Sequence, residues 1–314
     1  EKQIIHMLQK TLEVKDERFF HPIKQLLNHQ SPKVKVLAIE NVYFLRTENL
    51  CDSIESMVHD DNQEVTKSAF RYLLKHYKKN TVELFNTYLK SEDKTIKNAA
   101  LIGLSLELRN NTALQNKYSL EQRIENALIE YNKTTDENDK VHSMQAILET
   151  IGYARVERFY NVIISELNSK NTVILNTAIL SASHTLDKQF ITLIVSHLSN
   201  KDTRKQATDA LFFFGESIID VLYIIIKNET IDLDDALYII AIIEKFASQK
   251  AINKLIKLTE DTEHVIKIEA IEALKRLKWK YPYLIIKDRL IVDKILDECH
   301  LYQNTLSVIH TQIV

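Results

Sequence analysis

The chain has 314 residues, 45% of them hydrophobic and 27% charged, with a net charge of −2 and a pI near 6.7. That balance belongs to an ordinary folded protein, and it excludes a chain that holds nucleic acid through a bulk basic excess, leaving only a local patch for that purpose. The longest purely apolar run, ALYIIAII at 236–243, falls far short of the roughly 20 residues a membrane-spanning helix needs. Three glycines and three prolines point to helix throughout, because strand folds need turn glycines and phosphate loops need several together. The two cysteines, Cys51 and Cys299, are too few for a disulfide framework and read as reduced thiols of a cytoplasmic protein. The start carries no signal-peptide pattern and no initiator Met, so a piece of a longer protein is expected.

Along the chain, Glu1 opens a helix of mixed charged and apolar residues. A phrase then recurs about every 31 residues: Ser31, Val34 and Ala38; Asn62, Val65 and Ala69; Asp93, Ile96 and Ala100. Its first residue is a helix cap that accepts free N–H groups of the first turn, with Pro32 in the N1 place where a missing N–H costs nothing. The apolar residue three places on and the alanine seven places on share one face. Alanine there lets a neighbouring helix approach closely. Asn171, Ile174 and Ala178, and Asn200, Thr203 and Ala207, repeat the phrase; weaker copies start near Asn138 with Val141, Thr230 with Leu233 and Leu237, and Glu263 with Ile266 and Ala270. The one long step, from 93 to 138, contains LRNNTALQNKYSLEQR around 108–123, which reads as an insertion or a longer connection. Between phrases lie shorter amphipathic segments, at 49–60, 80–91, 156–169, 188–200, 217–228 and 249–261. Gly152 and Gly215 fall where the first helix of a pair should end in a left-handed residue. Two helices per period of about 30–33 residues define a solenoid.

The stretch HLSNKDTRKQATDALFFFGESIIDVL at 197–222 resembles a HEAT repeat, with Asp202 between repeats, Arg204 at the helix start, Ala207 and the Gly215 break. LTEDTEHVIKIEAIEALKRL at 258–277 is similar. The resemblance covers about residues 20–280 and departs from the pattern at Thr203 and in the copy near 138. It implies one all-α, right-handed α-α superhelix over 1–314, of about eight or nine helix pairs, with capping helices at 284–314. The order of repeats followed by KDRLIVDKILDECHLYQNTL at 287–306 also resembles the HEAT region of bacterial nucleotide-translocase-like transport proteins. In that family the repeats follow a membrane transporter half.

No G-x-G-x-x-G or Walker run occurs, and no H-E-x-x-H or C-x-x-C. Asp232, Asp234 and Asp235 lack the glycine and terminal Glu of a calcium loop and suit a helix start instead. The three phenylalanines of LFFFG at 211–215 read as core filling. The best binding signal is ALKRLKWKYPYLIIKDR at 273–289: basic residues interleaved with Trp279, Tyr281 and Tyr283. Lys278, Trp279, Lys280, Tyr281 and Tyr283 form the candidate interaction patch, which could stack on bases; a plain lysine-rich helix end before Pro282 explains the same residues.

The expectation is a non-enzymatic interaction or scaffold module with no catalytic residue, cofactor or metal. Its partner would be a protein or a neighbouring domain of the same chain. Its place would be the cytoplasm or the cytosolic face of a membrane, as the repeat region of a larger bacterial protein. The alternative is a helical-repeat nucleic-acid-binding or DNA-repair protein.

Overall fold

The computed structural model describes residues 1–45, 48–228, 231–286, 296, 299, 300 and 302–308. Their regular elements are all helices, and no strand occurs among them. The chain divides into two compact units, Glu1–Phe190 and Ile191–Val314. In the first unit the helices are α1 (Lys2–Val14), α2 (Phe20–Gln25), α3 (Pro32–Phe44), α4 (Cys51–Glu55), α5 (Gln63–His76), α6 (Thr81–Leu89), α7 (Lys94–Glu107), α8 (Thr112–Lys117), α9 (Leu120–Lys133), α10 (Glu137–Ala154), α11 (Tyr160–Glu166) and α12 (Thr172–Thr185). The division falls within α13 (Gln189–Val195). The second unit continues with α14 (Arg204–Phe213), α15 (Ile219–Ile226), α16 (Leu233–Lys245), α17 (Gln249–Leu258) and α18 (His264–Lys280). Among the described residues no helix is long and apolar enough to cross a membrane.

The caps explain where the long helices start. Asn62 Oδ1 accepts N–H groups of Glu64 and Val65, Asp93 those of Thr95 and Ile96, and Asn171 those of Val173 and Ile174. Each removes an orphan donor and stabilises its helix by about 1 kcal/mol. A second device sits two residues upstream: His29 accepts the N–H of Ser31, Asp60 that of Asn62, Ser91 that of Asp93, and Asp261 that of Glu263. Such side-chain turns close the connection without glycine. Three caps differ from the sequence expectation. The helix expected from Asn138 starts two residues earlier, with Asp136 accepting from Asp139 N. Thr230 lies outside the described residues, and Asp232 caps α16. Asn200 precedes a turn, and α14 starts at Arg204. Thr203 takes a fully buried place because its hydroxyl donates to His197 O at 2.9 Å. Ser31 is a cap by position only: its Oγ donates to Glu1 Oε1.

In the first unit the long helices α1, α3, α5, α7, α10 and α12 lie side by side in that order, and α2, α4, α6, α9 and α11 each pack on the long helix that follows. In the second, α14, α16 and α18 form the long layer, with α15 and α17 behind it. The alanines of the phrase, Ala38, Ala69, Ala100, Ala178, Ala207 and Ala270, are fully buried where long helices meet. The stretch around 108–123 holds an extra short helix, α8, ahead of α9. The expected capping helices at 284–314 fall largely outside the described residues.

Gly152 is not a helix-ending glycine. It lies inside α10, and a Cβ there would stand 2.5 Å from Ser181 O on α12. The left-handed residue that ends α10 is Arg155, at φ 58°. The same conformation ends α1 at Lys15, α12 at Leu186 and α16 at Ala247, and it occurs at Asn110 just after α7. Gly215, at φ 74°, is the one glycine in this role. The LFFFG run is only half core: Leu211 and Phe214 are buried, whereas Phe212 and Phe213 face outward, with Phe212 stacked on Phe246 at 4.8 Å.

Candidate interaction surface

The C-terminal ends of the long helices of the first unit form a continuous polar edge. Cations collect there because helix C-termini carry partial negative charge. At one end Lys15 Nζ lies 4.4 Å from the Phe44 ring centre, and Lys75 Nζ lies 3.8 Å from that of Tyr43. Arg71 also stands over the Tyr43 ring, 4.5 Å from its centre. Such contacts add roughly 0.5–2 kcal/mol each, depending on exposure. The Tyr43 hydroxyl donates to Glu107 at 2.5 Å, and Arg71 Nε donates to the same oxygen at 2.9 Å. Three consecutive long helices, α3, α5 and α7, are thereby joined. Burial, and then the Glu107 carboxylate, push the Tyr43 hydroxyl well above its ordinary range, so it is a permanent donor.

Beside this cluster Lys67 of α5 reaches over α7 to Glu149 of α10, at 2.7 Å, and also holds Glu64 at 2.9 Å. Gly103 permits the reach. A Cβ on it would lie 2.6 Å from Phe70 Cβ and 3.1 Å from Lys67 O, so α5 and α7 touch backbone to backbone there. Burial alone would lower the Lys67 ammonium, yet Glu149 and Glu64 together raise it. Glu149 is raised as well, because its burial outweighs the attraction of Lys67.

Further along, Arg109 Nε donates to Tyr153 O at 2.9 Å, and Arg155 Nε donates to His184 O at 3.1 Å. Each arginine thus satisfies an orphan carbonyl of the next long helix. Gln115 does the same for Ala154 O at 3.0 Å. The Tyr153 and His184 rings lie 4.4 Å apart. Burial, then Arg109 and Arg155, lower His184 to about 4.

The patch expected from the sequence lies elsewhere, at the end of α18. Lys278, Trp279, Lys280 and Tyr283 are exposed, Trp279 at 90% and Tyr283 at 73%. Tyr281 is half-buried, 6.0 Å from the Tyr283 ring, with Lys280 over it at 5.4 Å. The Lys278 ammonium donates to Leu284 O. The patch is therefore assembled, but its lysine is partly spent on closing the helix end; Arg289 lies outside the described residues. Of the resemblance residues, Asp202 is exposed, whereas Arg204 donates to Leu198 O and Ser199 O and lies 4.2 Å from the Tyr238 ring. The acids of 231–236 start α16.

Sequence reasoning singles out no member of the edge in the first unit. Its contacts join residues up to 82 positions apart. The signal that marks it is a basic residue just after the last apolar position of α1, α5, α7 and α10: Lys15, Lys75, Arg109 and Arg155.

No family model and no curated protein matches the chain. Two engineered proteins solved by the Northeast Structural Genomics Consortium align with it. One is 17% identical over 64% of this chain and 97% of its own, with a TM-score of 0.32. The other is 16% identical over 82% and 77%, with a TM-score of 0.29. At these scores neither likeness bears on function.

Proposed function

We propose that the chain is a non-enzymatic interaction module whose first unit holds a protein partner, or a neighbouring domain of a longer chain, along the edge from Lys15 to His184. The observation that carries this reading is the tying together of that edge. Tyr43, Arg71 and Glu107 link three repeats, and Arg109 and Arg155 each cap the helix beyond. The edge thereby presents rings and cations from six successive long helices in fixed positions, which lowers the ordering cost of binding. Aromatic and arginine side chains on a rigid support are the residues that dominate protein interfaces. As the repeat region of a bacterial membrane transport protein, the module would work on the cytosolic face.

The test is a photo-crosslinking amino acid placed at Lys75, on the edge, and separately at Arg158, which is paired with Glu121 and Glu125 away from it. One discrete protein adduct from position 75 and none from position 158 is the expected result. Equal adducts, or none, would refute the reading.

Exposure of Trp279 beside Lys278 and Lys280 favours a second reading, in which this patch stacks on single-stranded nucleic acid. Trp279 is the sole tryptophan, so its emission reports directly. If the edge is the working surface, an oligonucleotide titration at low salt leaves that emission unchanged; saturable quenching would favour the second reading.

A further inference from the structure

One place on the edge holds two like charges with no acid between them. Arg109 and Arg155 follow the ends of α7 and α10, and among the described residues neither has a carboxylate partner. Arg18, Arg71, Arg158 and Arg276 all do, whereas Arg123 and Arg204 also bond only to carbonyl and amide oxygens. Arg109 and Arg155 each spend the Nε–H on a helix-end carbonyl, which fixes the plane of the guanidinium. Arg155 also gives an Nη1–H to Asn110 Oδ1 at 3.5 Å, so the two helix ends are held side by side. Arg109 lies 5.8 Å from the Tyr153 ring centre, and the His184 ring continues that wall. Both arginines are half-buried and open to solvent on one side. Burial, and then the charge of Arg155, lower the affinity of Arg109 for its proton. Among the described residues the two charges are met by helix-end carbonyls and the Asn110 amide oxygen alone, with no carboxylate at either guanidinium. Planar guanidinium forks are matched to oxyanions, which accept two parallel N–H bonds at once.

We propose that Arg109, Asn110 and Arg155 form a docking site for one oxyanion of the partner, a carboxylate or a phosphate ester. The site deepens the interaction reading above and rests on it.

The test is thermal unfolding of the full chain at fixed ionic strength in sodium chloride, sodium acetate and sodium phosphate. At an anion concentration about ten times its Kd, the midpoint rises by roughly 3 °C beyond the rise seen in R155Q. The increment survives in R158Q. Because R155Q also loses the bond to His184 O, a second variant guards the inference. Asn110→Asp places a carboxylate against Arg155. It raises the midpoint in chloride and abolishes the added effect of either anion. A response to phosphate alone identifies a phosphorylated partner, and a response to acetate alone an acidic side chain. Equal increments in the wild type, R155Q and Asn110→Asp overturn the site. If the increments fail while the adduct at position 75 persists, the interaction reading stands without this site. Increments without an adduct leave an anion-binding pair but overturn its role as a docking site, together with the interaction reading.

Discussion

Ala247 ends α16 at φ 49°, a left-handed backbone that costs a non-glycine residue about 1–2 kcal/mol. Glycine would recover that cost, less the extra freedom it gives the unfolded chain. Ala247→Gly should therefore stabilise the protein by about 0.5–1 kcal/mol in chemical denaturation. Gly103 is the opposite case. Its missing side chain is what lets α5 and α7 meet, and Phe70 Cβ at 2.6 Å leaves no room for a methyl. Gly103→Ala should cost about 1–3 kcal/mol despite alanine's better helix propensity. His184 sets a pH dependence. Its folded value of about 4 lies below the ordinary 6.5, because it is buried and faces Arg109 on α7's end and Arg155 and Tyr153 on α10's end. The fold thus binds the neutral imidazole. Its contribution is complete above pH 6.5 and is lost as pH falls toward 4. That loss is about 3 kcal/mol at 1.36 kcal/mol per pH unit, and His184→Gln should flatten that part of the stability curve relative to the wild type.

Helices of this chain are joined by side chains that skip a neighbour. Lys67 crosses α7 to Glu149, with only 8% of its side chain exposed. Removing one partner leaves a half-buried charge, whereas removing both can be nearly neutral. A double-mutant cycle on Lys67→Met and Glu149→Met should show each single variant losing about 2–3 kcal/mol, with the pair losing less than the sum by about 1 kcal/mol or more. Additive losses would mean the contact is incidental. Caps and small buried positions were legible, because capping and close packing each demand one residue type at one place in every repeat: Asn62, Asp93 and Asn171 at the starts, and Ala69, Ala100 and Ala178 between helices. Apart from the one at Gly215, the helix ends were not legible. Lysine, asparagine, arginine, leucine and alanine take the left-handed turn at the others, so no glycine marks them. The roles of Gly103 and Gly152 follow from which helix lies opposite, which one chain position cannot reveal.

On the scale of the molecule, the first unit offers the polar edge and the second the exposed aromatics near Trp279. The sequence favoured the second because Lys278 to Tyr283 are contiguous. The edge draws its members from repeats up to 82 residues apart, as in Lys67 and Glu149, and only the stacking of long helices brings them together. The most direct measurement of the central claim is amide hydrogen exchange of the full chain, alone and with the partner recovered through position 75. Added protection at the C-terminal ends of α5, α7, α10 and α12, with residues 273–286 unchanged, is the predicted result. Protection confined to 273–286, with the long-helix ends of the first unit unaffected, would contradict it.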